Sequence, residues 1–159
     1  MSKLDSFFAP KSIAIVGASA TKGKPGRTVI ENLIANEFRG KIYPVNPRGG
    51  KICDLPVFKK IEDLPNRIEM AIVMLPANQT PKAIKDCAVK GIKSAVLAAG
   101  GFAEVDHSGE DLQIHLKEII KETGVRVLGP NTAGHISTPS GFTSSFFPLG
   151  KIPKGGISY

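Results

Sequence analysis

The sequence is poor in the features on which several classes of protein depend. It contains no tryptophan and only two tyrosines in 159 residues, whereas proteins that bind single-stranded nucleic acid stack bases on aromatic rings. No apolar run approaches the ~20 residues that a membrane-spanning helix needs, and no signal-peptide stretch opens the chain. The net charge of +7 comes from scattered lysines and arginines and favours anions in general. We therefore expect a soluble, cytoplasmic protein that binds neither nucleic acid nor a membrane.

Cysteine is scarce as well, and familiar catalytic sets are missing. Cys53 and Cys87 lack the spacing of metal ligands, which predicts reduced, buried thiols and no metal site. The sequence shows neither a Ser/His/Asp set nor a pair of carboxylates. It therefore predicts no catalytic residue.

The first strongly patterned stretch predicts a strand, a turn of small residues and a helix. The apolar run Ile13–Val16 predicts a buried strand, and the spacing of Val29 and Leu33 predicts the helix. A turn of this kind brings backbone N–H groups and the positive end of a helix dipole together, so it can bind an anion. An ordinary turn without a ligand remains the alternative, because one such turn is weak evidence.

The alternation of strands and helices continues along the chain and predicts the fold class. Five short apolar runs predict strands: Ile13–Val16, Lys41–Val45, Met70–Leu75, Ser94–Ala98 and Val125–Leu128. This pattern predicts an α/β, Rossmann-like, doubly wound parallel sheet of about five strands with helices on both faces. Small or turn-forming residues follow all five strands, at the sheet edge where such folds bind ligands.

The helix boundaries carry their own signals. Thr80 is predicted to cap the helix that follows the third strand, with Pro81 at its first position. Ser108 and Asp111 have the spacing of a capping box, and Gly124 is predicted to end that helix.

The turn after the second strand bears on the identity of the ligand. A nicotinamide dinucleotide fold usually carries Asp or Glu there to bind the ribose hydroxyls. This chain has Asn46, Pro47 and Arg48, with Lys51 shortly after, and these residues suit a phosphate better. The first turn also departs from G-x-G-x-x-G. Both departures count against NAD, which remains an alternative.

Several motifs together resemble the N-terminal coenzyme-A-binding domain of the NDP-forming acyl-CoA synthetases. These include the ADP-forming acetate–CoA ligases and the succinyl-CoA synthetase alpha subunit. The resemblance runs from about Leu4 to the end of the chain. It rests on five motifs: Ser12–Ser19, Ile42–Pro47, Leu55–Phe58, Ala99–Phe102 and Gly129–Asn131.

The resemblance implies coenzyme A as the ligand and assigns residues to it. Arg48, or failing it Lys51, stands where a basic side chain meets the CoA phosphates, and Asn131 belongs to a loop near the thiol end. Thr132 departs from the Cys often found after that Asn. The strand-end turns and the resemblance together give these candidate CoA-binding residues: Gly17, Ser19, Ala20, Thr21, Lys22, Asn46, Pro47, Arg48, Lys51, Leu75, Pro76, Ala98, Ala99, Gly100 and Asn131.

The histidines are interpreted as structural. His115 is predicted on a helix and His107 in a loop, where exposure explains both. His135 lies near the proposed site, yet a structural role is favoured over a catalytic one. Glu104 lies in a predicted surface loop. The sequence leaves open whether Glu104 or His135 faces the site.

The resemblance also predicts how the chain is organised. Residues 1–135 are predicted to form the CoA-binding domain, and residues 136–159 a linker and the first strand of a following domain. This tail is expected to be mobile, or to be borrowed by a neighbouring molecule. In this family the phosphorylated histidine lies in that next domain. We therefore expect this chain alone to be inactive in the reaction acid + CoA + ATP → acyl-CoA + ADP + phosphate. Its expected partners are further ligase domains or a subunit carrying the phosphohistidine and ATP-grasp parts. A stand-alone CoA-binding regulatory protein is the other alternative.

Overall fold

The computed structural model describes residues 4–155. Its strands are β1 (Ser12–Val16), β2 (Lys41–Val45), β3 (Lys51–Ile52), β4 (Leu55–Pro56), β5 (Met70–Val73), β6 (Ser94–Leu97), β7 (Arg126–Leu128), β8 (Ile136–Ser137) and β9 (Phe142–Thr143). Its α-helices are α1 (Asp5–Phe8), α2 (Pro25–Ala35), α3 (Thr80–Val89) and α4 (His107–Thr123). Single 3₁₀ turns span Ile61–Asp63 and Ala77–Gln79.

A five-stranded parallel sheet forms the centre, in the order β2-β1-β5-β6-β7. The chain moves outward in one direction from β1 to β2, and in the other from β1 to β5, β6 and β7. The strand order therefore reverses between β1 and β5, the position at which doubly wound sheets place their ligands. The predicted fold class is confirmed.

Both faces of the sheet are buried, which explains why its strands consist of continuous apolar residues. Ile13 and Ile15 share one buried cluster with Leu33 of α2. Ala14 and Val16 point to the opposite face and belong to the cluster that contains the inward residues of α3 and α4. Each of these four β1 side chains is at most 4% exposed. The sheet is thus a rigid support for the loops at its ends.

The helix caps are partly as predicted. Gly124 ends α4 in the left-handed conformation, with φ of 68°, which confirms its role. The N-cap of α4 is Asp106, whose side chain accepts from Gly109 N, so the predicted Ser108 capping box is wrong. Thr80 does not cap α3 either, because its hydroxyl donates to the carbonyl oxygen of Pro76.

The segment after β7 packs on α2. Phe142 is completely buried, in the same cluster as α2. The buried Asn32 donates to the carbonyl oxygens of Ser145 (3.0 Å) and Phe147 (2.7 Å). Residues 136–150, predicted as part of a linker, are therefore held against the domain by the buried Phe142 ring and the buried Asn32 amide. Residues 156–159, in which a strand of a further domain is predicted, lie outside the described residues.

The two cysteines differ in burial. Both are free thiols, as predicted, but only Cys87 is buried, whereas Cys53 is half-buried beside β3. Burial raises the pKa of the Cys87 thiol to about 12, so this side chain is an inert core residue. Among the described residues, no helix is both long and apolar enough to cross a membrane.

Candidate functional site

Five loops lie side by side at the C-terminal edge of the sheet. We name each after the strand that it follows: the β1 loop (residues 17–24), the β2 loop (46–50), the β5 loop (74–76), the β6 loop (98–106) and the β7 loop (129–135). Contacts join the β2 and β1 loops, the β1 and β5 loops, and the β6 and β7 loops, and the β6 loop also lies against residues directly before and after the β5 loop, Val73 and Ala77. The loops thus form one continuous surface.

The β2, β1 and β5 loops meet closely. Asn46 Nδ2 donates to the carbonyl oxygen of Ala18 over 2.7 Å and joins the β2 and β1 loops. Gly17 lies against the β5 loop, where a Cβ atom would stand 2.6 Å from the carbonyl oxygen of Met74. With φ of +88°, Gly17 also has a backbone conformation that other residues rarely adopt. A glycine is therefore required at this point of contact.

The β6 loop lies between the β5 and β7 loops. A Cβ atom on Gly101 would touch Ala77, at 3.2 Å, just beyond the β5 loop. Asn131 of the β7 loop donates from its backbone N–H to the carbonyl oxygen of Ala99 over 2.9 Å. The turns predicted to share one sheet edge therefore lie next to one another.

The β1 loop and the start of α2 provide hydrogen-bond donors. In the described part of the chain, the backbone N–H groups of Ser19, Ala20, Lys22 and Gly23 have no acceptor. Gly26, in the first turn of α2, packs so tightly on the carbonyl of Gly17 that a Cβ atom would overlap it. The helix N-terminus therefore lies directly against the loop, as in anion-binding turns.

Arg27 is a part of this site that the sequence predictions missed. Its Nε atom donates to Glu31 over 2.8 Å, and its guanidinium donates to the carbonyl oxygen of Ala20 over 3.1 Å. The hydrogen bond to Glu31 raises the pKa of Arg27. Arg27 thus ties α2 to the β1 loop. The Arg–Glu spacing of four residues was the available signal, since such pairs meet on a helix.

The β2 loop presents basic side chains but no acid at the end of β2. Arg48 and Lys51 are both exposed, as is Pro47. Asn46 is engaged within the protein, because its Oδ1 atom also accepts from Arg48 N over 2.9 Å. Its amide therefore shapes the loop and links it to its neighbour.

The other predicted residues lie on the β5, β6 and β7 loops. Leu75, Ala98 and Ala99 are half-buried, and Pro76, Gly100 and Asn131 are exposed. All fifteen candidate residues belong to these five loops or, for Lys51, to the start of β3 directly after the β2 loop.

Glu104 folds back on the β6 loop. Its carboxylate accepts from Gly101 N over 2.7 Å and from Phe102 N over 3.2 Å. Hydrogen bonds from backbone N–H groups hold the pKa of Glu104 below its ordinary value. The largest effect comes from its own N–H, and smaller ones come from those of Gly101 and Phe102. The side chain is therefore a carboxylate at the edge of the sheet where the five loops lie.

His135 is occupied by structural contacts. Its Nδ1 atom lies 3.0 Å from the Ser144 hydroxyl, and its Nε2 atom contacts the carbonyl oxygen of Phe7. Its ring packs at 5.3 Å from Phe142. His107 is predicted to lie in a loop, but it is the first residue of α4. His115 is exposed on the same helix, as predicted.

The site is an open surface. A groove of about 760 Å³ runs along the outer edge of β7, bordered by Phe8 and Val127, and a second cavity of about 330 Å³ lies beside β2 and Leu55. Neither is lined by the β1 loop. We place the candidate site at the loops because the unpaired donors and basic groups are there.

Comparison with known proteins agrees with this geometry. Residues 11–137 match the family described as CoA binding domain. The chain is 45% identical over 154 residues to the ADP-forming acetate–CoA ligase II of Archaeoglobus fulgidus, covering 97% of this chain and 23% of the relative. It is 36% identical to the alpha subunit of the ADP-forming acetate–CoA ligase I of Pyrococcus furiosus, covering 94% of this chain and 33% of the relative.

A solved structure of an acetyl-coenzyme A synthetase has the same fold as this chain. The dinucleotide-forming acetyl-coenzyme A synthetase 1 of Ca. Korarchaeum cryptofilum, in complex with phosphate and ADP, superimposes with a TM-score of 0.85 at 35% identity. The match covers 92% of this chain and 31% of that chain.

These findings define the class: an α/β domain that binds coenzyme A. The chain belongs to the CoA binding domain family and is homologous to part of the ADP-forming acyl-CoA synthetases. The resemblance read from the sequence is confirmed. The chain spans about a quarter to a third of the length of these curated relatives.

Proposed function

We propose that this domain holds coenzyme A along the C-terminal edge of its sheet, for use by an ADP-forming acyl-CoA synthetase. The observation that carries the proposal is the row of five adjacent loops, with unpaired N–H groups on the β1 loop, the exposed Arg48 on the β2 loop and the exposed Lys51 directly after it. Coenzyme A is a long ligand with a diphosphate and a 3′-phosphate at one end and a thiol at the other. An elongated edge with donors and cations suits such a molecule.

The residue assignments follow the order of the loops. The N–H groups of Ser19, Ala20, Lys22 and Gly23, with the Lys22 side chain, receive phosphate oxygens at the helix N-terminus. Arg48, with Lys51 beside it, binds a phosphate through charge-assisted hydrogen bonds. The half-buried residues of the β5 and β6 loops border the pantetheine, and Asn131 lies toward the thiol end. Gly17 allows the β1 loop to pack closely on the β5 loop, and Asn46 fixes the β2 loop against the β1 loop.

A nicotinamide dinucleotide suits this edge less well. The β2 loop carries no Asp or Glu for ribose hydroxyls, and Arg48 stands in that region instead. No observation favours the stand-alone regulatory alternative.

The chemistry requires more protein than this domain. Phosphoryl transfer needs a nucleotide site with a bound metal and a group that accepts the phosphoryl. We find neither a P-loop nor a candidate phosphohistidine in this sequence. We propose that further ligase domains or a partner subunit supply these parts, in the cytoplasm, and that this domain supplies the coenzyme A.

Calorimetric titration of the purified chain with coenzyme A and, separately, with NAD tests the binding proposal. We expect coenzyme A to bind and NAD to bind more weakly or not at all. Tighter binding of NAD would overturn the proposal.

A second experiment tests whether the chain needs the other ligase parts for turnover. The chain incubated with ATP, magnesium, coenzyme A and a panel of short acids is expected to form no acyl-CoA, and addition of the remaining ligase parts is expected to restore turnover. Acyl-CoA formed by the chain alone would contradict this division.

A further inference from the structure

The β6 loop has two kinds of backbone donor. Three consecutive N–H groups are taken by side chains: those of Gly101 and Phe102 by Glu104, and that of Ala103 by Gln113, at 3.3 Å. The two preceding N–H groups, of Ala99 and Gly100, have no acceptor among the described residues. Glu104 therefore fixes the backbone immediately beside two available donors.

Gly100 lies between two polar side chains. A Cβ atom added there would stand 2.9 Å from Glu104 Oε1 and 3.2 Å from Asn131 Oδ1. Asn131 in turn donates its backbone N–H to the carbonyl oxygen of Ala99. The unpaired donors are thus flanked by Glu104 on one side and by the β7 loop on the other.

A carboxylate at this edge has an electrostatic disadvantage. Coenzyme A is an anion, and a like charge nearby weakens its binding unless the group does something that offsets the repulsion. The carboxylate of Glu104 has such an effect, because its two hydrogen bonds fix the backbone at Gly101 and Phe102. Because a carboxylate accepts through both oxygens, it can hold two successive N–H groups at once.

We propose that Glu104 is a positioning residue for coenzyme A. Its carboxylate fixes the β6 loop so that the N–H groups of Ala99 and Gly100 remain available to the ligand. This inference rests on the proposed CoA-binding function and assigns to it a residue that does not itself contact the ligand.

The direction in which one substitution changes the affinity for coenzyme A distinguishes this role from simple charge repulsion. Glu104→Gln removes the negative charge but can accept from only one of the two N–H groups, since the amide NH₂ faces the other. We expect it to weaken coenzyme A binding about threefold to tenfold, the range that one displaced hydrogen bond is worth. Loss of repulsion alone would make binding tighter.

Two further variants complete the experiment. Glu104→Asp keeps the charge but is too short to span both N–H groups, so it is expected to weaken binding as well. Glu122→Gln, at an exposed position in the last turn of α4, makes the same change of charge away from the loops and is expected to bind as wild type.

The readouts are calorimetry, thermal unfolding and amide NMR. In Glu104→Gln we expect a Tm close to wild type, and CoA-induced shifts that are reduced at Ala99 and Gly100 but retained at Lys22 and Gly23. Wild-type affinity or tighter binding in both Glu104 variants would overturn this inference and leave the proposed function intact. If the wild-type chain fails to bind coenzyme A, the proposed function itself fails.

Discussion

Asn46 and Ala18 are joined by a hydrogen bond of 2.7 Å from the amide nitrogen of one to the carbonyl oxygen of the other. The two residues follow different strands, so this bond fixes the β2 loop against the β1 loop. The Oδ1 atom of Asn46 also accepts from Arg48 N over 2.9 Å. One side chain therefore holds the turn that carries Arg48 against the loop that carries the unpaired N–H groups of Ser19, Ala20, Lys22 and Gly23.

Asn46→Ala is expected to lower stability and CoA affinity together. It removes the bond to Ala18 and the bond that Asn46 Oδ1 accepts from Arg48 N, which together are worth about 1–2 kcal/mol. Urea denaturation and calorimetry measure the two effects. Asn78→Ala, at an exposed position in the Ala77–Gln79 turn, is the matched control. Unchanged CoA affinity in Asn46→Ala would show that the loop contact does not shape the site.

Arg48→Ala and Lys22→Ala test the phosphate contacts. A charge-assisted hydrogen bond is worth ~1.5–3 kcal/mol, so each change is expected to weaken coenzyme A about tenfold or more. The loss is expected to be smaller for dephospho-CoA where the residue binds the 3′-phosphate. Lys117→Ala, exposed on α4, controls for net charge. If both variants bind as wild type, backbone donors alone hold the phosphates.

Gly17→Ala and Gly23→Ala form a matched pair on the β1 loop. Both glycines have positive φ, 88° and 77°, so both substitutions carry backbone strain of about 1 kcal/mol or more. Only the Gly17 substitution places a Cβ atom against the Met74 carbonyl, since a Cβ on Gly23 meets nothing within 4 Å. We expect Gly17→Ala to be the less stable by about 1–3 kcal/mol, measured by thermal unfolding. Equal losses would mean that the β1 and β5 loops have room to separate.

Asn32→Ala is expected to release the segment that covers α2. Asn32 is only 3% exposed and also accepts from Leu149 N over 3.1 Å. Its loss leaves two carbonyls and this N–H unpaired, at a cost of about 2–3 kcal/mol. Cleavage by trypsin at Lys151 and Lys154 is expected to accelerate. Asn36→Ala removes comparable bonds at a half-buried position, where water can replace them, so a smaller effect is expected. Equal proteolysis of Asn32→Ala and wild type would contradict this.

The strands of the central sheet could be predicted because both of its faces are covered. A strand such as Met70–Val73 is buried at every position and reads as an unbroken apolar run. The edge at which the loops meet follows from the parallel arrangement alone. The residues that line that edge could therefore be named before their contacts were known.

The contacts between loops could not be predicted, because they depend on which strands are neighbours. Asn46 is predicted as a ligand residue from its place after β2, and its hydrogen bond to the Ala18 carbonyl depends on β1 and β2 being neighbours. The cap of α4 was missed for a local reason: both Asp106 and Ser108 can cap, and the hydroxyl of Ser108 instead donates to Asp106. Residues 136–150 show little periodicity, so nothing in the pattern revealed that Phe142 is buried.

Amide NMR of the labelled chain, titrated with coenzyme A, tests the central claim most directly. The account predicts perturbations concentrated at residues 17–24, 46–51, 74–75 and 98–101 and at Asn131, with NAD at the same concentration producing smaller ones. Perturbations that instead cluster along the groove beside Phe8 and Val127 at the outer edge of β7 would contradict it.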